Sequence, residues 1–496
     1  MILQREKKIP VWGTGEDGEE IQVTFRGVTE KAAVKDGVWF VELPPCEACI
    51  QETLRIDCAQ KTITFRDVAV GEVWLAAGQS NMEFYMFFDE DYEKEKLHCE
   101  NSLIRFFDFP KLAYDRQEED FDYSEMGFWR SCSSDDLKYY SAVAYYAAVK
   151  LHKELNVPIG IIGCNWGGTT LSCWMKREDL SRHGQVWLEE YQNSLAEISD
   201  MESYKTEYRK NPVNGKGRPF EDFFNLTMMR PVPREQQLEM MKQIPDMDDV
   251  FKLGPYSPNR PSGLYEHMVS KTAPYGIRGI MWYQGESDVP HPELYQDLFK
   301  DLVKCWRRLW REDLPFFTVQ LAPFEAWLAE TGERFPMIRK AQENVSGQLK
   351  EIYLISTSDS GMQYDIHPKK KQPVGKRIAL SMLSHIYGRS DILGDAPRAA
   401  EVSIREGIFQ IRFKNAGEGL YMEPGSLPLV VRNAFGDVTV RNLRAEGEFL
   451  YGELEHWDTD NQSSSGYEIL FAQTPYYKVN LYNSSHIPAL PFYYMG

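Results

Sequence analysis

The 496-residue chain sets 56 Lys and Arg against 74 Asp and Glu, a formal net charge of −18, and 43% of its residues are hydrophobic. It is too long for one ordinary core, and its composition is globular rather than disordered. The acidic balance opposes nucleic acid and anionic membrane surfaces, and no stretch reaches the roughly 18 apolar residues of a membrane span.

The first ten residues, MILQREKKIP, have no apolar signal region, so the chain as written reads as soluble and cytoplasmic. Residues 1–70 contain IQVTF, GVWFVEL, ETLRID and KTITFRDV, short β-branched and aromatic runs between Gly, Asp and Pro breaks. They predict a small β-sandwich-like domain. Cys46 and Cys49 form a CxxC in a strand-turn-strand segment; with no second pair to complete a metal knuckle, they read as turn residues and free thiols.

From residue 71 the pattern changes. EVWLAA, LIRFFDF, IGIIGC, RGIMWY, FFTVQLA and IYLIST are apolar runs of strand length. Helical stretches at 139–155 and 293–310 lie between them. Continuous apolar strands alternating with helices predict a parallel sheet covered on both faces, with chemistry at the carboxyl ends of its strands. Residues 71–390 form this α/β domain. Residues 176–262 interrupt it with a charged, Met-rich, mostly helical insertion, read as a lid or a solvated excursion. Residues 391–496 return to β patterns and predict a C-terminal β-rich domain.

Four segments carry candidate chemistry. In VWLAAGQSNMEF, Gly78 ends an apolar run, and Ser80 and Asn81 lie in the polar turn after it. A serine on a tight turn there faces the cleft with its own N–H beside a developing oxyanion, although Ser and Asn are also favoured helix N-caps. In GCNWGGTTLSCW, Trp166 precedes Gly167 and Gly168, whose backbone can approach a ligand closely. In GIMWYQGESD, Gln284 offers an amide donor and Glu286 a carboxylate. In YDIHPKKKQPVGKRIAL, His367 comes two residues after Asp365, so an Asp and a His on one loop can fix a tautomer. Trp166, Trp282 and Tyr283 read as sugar-stacking or core residues.

The four ordered segments resemble the SGNH-hydrolase superfamily and, within it, the sialate O-acetylesterase-like carbohydrate esterases. GEVWLAAGQSNMEF resembles the nucleophile block, WGGTTLSCW the glycine block, GIRGIMWYQGESD the block in which Gln-Gly-Glu replaces Gly-x-Asn-Asp, and DIHP…KQPVGKRIAL the histidine block. The lead-in DGVWFVELPP and the tail VNLYNSSHIPALPF are similar to the family as well.

The resemblance implies a three-layer α/β/α domain with a central parallel sheet, flanked by small all-β domains. It also implies ester hydrolysis with no metal or cofactor. Ser80 would be the nucleophile and His367 the base and then the acid. The Ser80 N–H, a glycine N–H from Gly167 or Gly168, and the Gln284 amide would receive the oxyanion. The spacing Asp-x-His departs from the superfamily's Asp-x-x-His, so Asp365 is the first choice of acidic partner and Glu286 the alternative, ahead of Asp359 and Asp288. The partner implied is an O-acetylated carbohydrate, 9-O-acetylated sialic acid first and acetylated xylan or another plant glycan second. Lys369, Lys370 and Lys371 read as a solvated loop first and as candidates for a substrate carboxylate second. A non-catalytic carbohydrate-binding protein on the same scaffold is the reading from another class. A base of this kind predicts an ascending pH–rate limb near neutrality.

Overall fold

The computed structural model describes residues 1–242, 253–328, 330–455 and 466–496. The chain divides into two compact units, Met1–Ser287 with Asp297–Phe316, and Asp288–Gln296 with Phe317–Gly496.

In the first unit the N-terminal strands keep their period-2 pattern. Val38–Leu43 alternates exposed and buried residues, and Trp39, Val41 and Leu43 join Ile21, Val23, Phe25, Leu54 and Ile56 in one core. KTITFRDV and EVWLAA, read from sequence as separate strands, are one strand, Thr62–Gly78. Its polar start is exposed and pairs antiparallel with Cys49–Asp57, whereas residues 68–78 are fully buried. From Glu72 onward its neighbour is the parallel strand Ile159–Asn165, and from Trp74 the parallel strand Gly279–Tyr283 lies on its other side. The boundary expected near residue 70 therefore falls inside a continuous strand that changes partners. Glu72, a charge inside the buried part, accepts from Arg5 Nε at 2.6 Å and Arg278 Nε at 2.8 Å. Burial alone would raise its pKa; the two guanidiniums outweigh burial and lower it.

The sheet of this unit continues from Ile159–Asn165 to the parallel Asn101–Asp108 and ends on the antiparallel Trp129–Cys132. Asn165 and Tyr283 both stand opposite Gly78. Three strands thus finish at one level, and the loops that leave them start side by side. Helix Ala142–Leu155 begins where the Ser141 hydroxyl accepts from the Ala144 N–H at 3.3 Å and ends at Asn156 with φ of 52°. Residues 176–262 include the helices Gln185–Glu197, Met201–Lys210 and Arg234–Met241; residues 243–252 lie outside the described residues.

In the second unit, which takes up strand Phe316–Val319 from Phe317 onward, that strand neighbours Ile352–Ile355, accompanied by helices Phe335–Gln348 and Gln372–His385. Two four-stranded antiparallel sheets come after them, packed on a core that includes Phe409, Ile411, Phe413, Val431, Leu450, Ile469 and Phe471. The expected architecture is present: a mostly parallel central sheet among helices, with separate small antiparallel sheets.

Candidate active site

Gly78 turns the chain out of its strand with φ of +132°, and a Cβ there would stand 2.1 Å from the Tyr283 carbonyl oxygen. Only glycine allows that approach. The Gln79 N–H then donates to the same carbonyl at 3.0 Å, and Ser80–Glu83 forms a single helical turn. The N-cap of this turn is Gln79, without a side-chain cap, so Ser80 is its first helical residue and not its cap. The Gln79 side chain reaches the neighbouring loop instead. Its Oε1 accepts from the Gly285 and Ser287 N–H groups at 3.2 and 3.3 Å, and its Nε2 donates to Ser287 Oγ at 3.2 Å. Asn81 Nδ2 donates to Glu286 Oε1 at 2.6 Å. Ser80 and Glu286 are buried.

The glycine block lies directly on this turn. A Cβ at Gly167 would meet Ser80 Cβ at 3.1 Å and Glu83 Oε2 at 3.2 Å. Hydrogen bonds hold the block along its length. The Trp166 N–H donates to the Gly78 carbonyl at 3.0 Å, and the Gly167 N–H to Glu83 Oε2 at 2.5 Å. Thr169 Oγ1 donates to the Trp166 carbonyl at 2.7 Å and accepts from Trp174 Nε1 at 3.0 Å. Gln284 Nε2, expected to serve an oxyanion, donates to the Thr169 carbonyl at 3.0 Å. From the insertion, Asn259 Nδ2 donates to the Gly168 carbonyl at 2.9 Å, and its Oδ1 accepts from the Thr170 N–H at 3.3 Å. This end of the insertion is therefore fastened to the glycine block.

Of the two glycine N–H groups expected as oxyanion donors, Gly167's is engaged by Glu83. Gly168 has φ of +74°, a Cβ there would meet nothing within 4 Å, and its N–H has no acceptor among the described residues. A pocket adjoins the block, lined by Trp166, Gly167, Gly168, Lys216, Phe224 and Asn259 among others. Trp166 is only 2% exposed at its wall. Lys216 is buried against Asp222 at 3.0 Å. Burial works against the Lys216 charge, but Asp222 and Glu83 outweigh it and raise its pKa. Trp282 and Tyr283 are core residues and not sugar platforms: Trp282 packs edge-on against Trp174 and Trp306 and stacks on Phe299, and both are essentially inaccessible.

The histidine loop belongs to the second unit. Asp365 Oδ1 accepts from the backbone N–H of His367 at 2.8 Å and stands 3.7 Å from its Nδ1, an electrostatic contact rather than a hydrogen bond. The expected Asp–imidazole hydrogen bond is replaced by a main-chain cap, because a two-residue spacing folds the carboxylate back onto the loop. Asp365 Oδ2 pairs with Lys369 at 2.9 Å. Burial opposes the Asp365 charge, yet His367 and Lys369 hold its pKa at about 2. His367 is 2% exposed, with Trp327 edge-on at 5.2 Å between ring centroids. Burial pushes its pKa down to about 4; Asp365 works against that shift, while Lys369 and Lys371 add to it. Asp359 is gripped by Arg377 at 2.8 and 2.6 Å, a structural pairing, and Asp288 is buried. Of the three lysines, only Lys370 is exposed.

Sequence reasoning missed Gln79, Glu83 and Asn259. Glu83 had a signal, since three residues after Ser80 is one helical turn.

Residues 252–384 match the family model described as carbohydrate esterase, sialic acid-specific acetylesterase, a stretch that holds Gln284, Glu286, Asp365 and His367. Sialate O-acetylesterases of Mus musculus and Homo sapiens are each 24% identical to this chain, over 83% of it and 77% and 75% of theirs. A crystal structure of a carbohydrate acetylesterase from Xanthomonas citri has a TM-score of 0.73 at 23% identity, covering 99% of this chain and 96% of that one. These findings bear out the resemblance to sialate O-acetylesterase-like carbohydrate esterases, and the structural likeness bears out the fold.

Proposed function

We propose that this protein is a carbohydrate O-acetylesterase that works through an acyl-enzyme on Ser80. The observation that carries the reading is the common level of Gly78, Asn165 and Tyr283, which sets the Ser80 turn, the glycine block and the Gln284 loop side by side. In the first step His367 takes the Ser80 proton as Oγ bonds to the acetyl carbon. The carbonyl oxygen becomes an oxyanion, which the N–H groups of Ser80 and the glycine block receive. Collapse of this tetrahedral species breaks the bond to the sugar oxygen, and His367 returns the proton to that oxygen. Water then repeats the sequence and releases acetate. Each donor of this kind contributes about 2.7–4 kcal/mol to the transition state.

The names of the relatives support an O-acetylated sialic acid as the first substrate, and the resemblance described above makes the 9-O-acetyl ester the first choice among them. A second reading, a neutral acetylated glycan such as xylan, is favoured by the ion pairs: Lys216 is neutralised by Asp222 and Lys369 by Asp365, so neither stands ready for a substrate carboxylate.

Acetate release from p-nitrophenyl acetate by wild type and Ser80→Ala tests the mechanism. Wild-type turnover with loss in the variant supports it; equal background rates leave carbohydrate binding without catalysis as the better account. A matched comparison of O-acetylated sialic acid with acetylated xylan decides the substrate.

A further inference from the structure

Glu83 is a carboxylate buried to 2% exposure, one helical turn after the proposed nucleophile. Its Oε2 accepts the Gly167 N–H at 2.5 Å, while Oε1 is buried without a hydrogen-bond partner among the described residues. Burying a carboxylate is expensive, and the buried Lys216 charge offsets part of that cost. The hydrogen bond, though, goes to a main-chain N–H that the strand ends do not need, since they are already tied through Gly78, Gln79 and Trp166. What the contact does is local. It fixes the peptide between Trp166 and Gly167 against the Ser80 turn, where a Cβ added to Gly167 would stand 3.1 Å from Ser80 Cβ. The peptides beyond it are held by Asn259 and Gln284. Within residues 166–168, the N–H groups of Trp166 and Gly167 have acceptors and that of Gly168 has none among the described residues.

We infer that Glu83 is a positioning residue for the reaction: by holding the Gly167 N–H it sets the glycine block so that the Gly168 N–H is the donor the block presents to the oxyanion. This rests on the acyl-enzyme reading above. A charge-assisted bond to the main chain is a strong tether, and oxyanion donors act only where they are held in place. Glutamine keeps an acceptor oxygen at the same reach. Alanine removes it, and aspartate withdraws it by one methylene.

The test measures kcat and KM on an acetyl ester for wild type, Glu83→Gln, Glu83→Ala and Glu83→Asp. Rates are expressed per active site counted by exhaustive phosphonylation of the nucleophile and intact mass. The expected result is a kcat loss of roughly 30- to 100-fold per counted site in Glu83→Ala, with KM within about twofold and Glu83→Gln within about threefold of wild type. Glu83→Asp is expected to lose as Glu83→Ala does, and it carries the test if the alanine variant does not fold. A merely structural role would lower the number of counted sites but not the rate of each.

Unchanged kcat per site in Glu83→Ala overturns the inference, and so does a Glu83→Gln variant as poor as the alanine. A rise in kcat on removing the carboxylate also overturns it, because the Gly167 N–H would then be a donor that Glu83 blocks. Ser80→Ala separates the two failures: if it keeps wild-type turnover, the acyl-enzyme reading itself falls, whereas its loss alongside an indifferent Glu83→Ala removes only this inference.

Discussion

A Cβ added to Gly78 would stand 2.1 Å from the carbonyl oxygen of Tyr283, the partner it faces across the sheet. The turn that presents Ser80 is therefore bound to the strand carrying the Gln284 loop, and the two cannot be altered separately. Gly78→Ala must push those strands apart and also hold alanine at φ of +132°. The expected result is a destabilisation of about 3 kcal/mol or more in urea denaturation, with loss of esterase activity well below the melting transition. A variant with wild-type stability and rate would show that the strand ends yield freely.

Gln284 acts on two things at once. One of its amide N–H groups holds the Thr169 carbonyl, so its loss frees the glycine block as well as removing a candidate donor. Gln284→Ala is expected to lower kcat about 10²-fold, while Ser80→Ala removes the covalent route altogether. Gln284→Glu sets a carboxylate oxygen against the Thr169 carbonyl and is expected to be worse than alanine. If the glutamate variant is instead the more active of the two, the donor assignment fails.

The identity of the acidic partner turns on Asp365 and Glu286. Asp365 Oδ1 caps the His367 N–H and lies 3.7 Å from Nδ1; Glu286 Oε1 accepts from Asn81. Asn and Gln replacements keep an acceptor in both places and remove only the charge. Asp365→Asn is expected to reduce kcat by at least about tenfold, and Glu286→Gln by less than about threefold, in steady-state assays at fixed pH. The reverse order would make Glu286 the partner.

Much of the fold, and the segments that the candidate site is built from, are legible in the sequence. Apolar runs ending at Ala77, Cys164 and Tyr283 announce strands of a covered parallel sheet, and the polar residues after each mark the candidate site. What the sequence hides is pairing between distant main-chain and side-chain atoms. Gln284 reads as a donor, but its acceptor is a backbone carbonyl, which every residue carries. Asn259 sits in an insertion with no pattern to tie it to Gly168. The long strand reads as two because its apolar density jumps at Val68, where it passes from an exposed antiparallel edge into a sheet covered on both faces. The Asp–His spacing does declare itself as unusual, and the main-chain cap is its structural consequence.

The burial around that loop moves the expected pH dependence. A histidine near its ordinary pKa would give an ascending limb near neutrality. Burial holds His367 down at about 4, against Asp365 and with help from Lys369 and Lys371. The proposed base then stays neutral and competent through mildly acidic solution, so the limb in kcat/KM of the free enzyme is expected near pH 4 rather than near 6.5. Stability must respond as well. Between these values the unfolded histidine is protonated and the folded one is not, so the unfolded state binds the extra proton and stability rises with pH across that window. The contribution is present above about pH 6.5 and is lost as pH falls through 4; its full size is about 3 kcal/mol. Urea denaturation from about pH 4 to 7 is expected to show this rise in wild type and a flatter dependence in His367→Asn. A kcat/KM limb near 6.5, or identical pH slopes in the two proteins, would mean that the imidazole is solvated and titrates as an ordinary surface histidine.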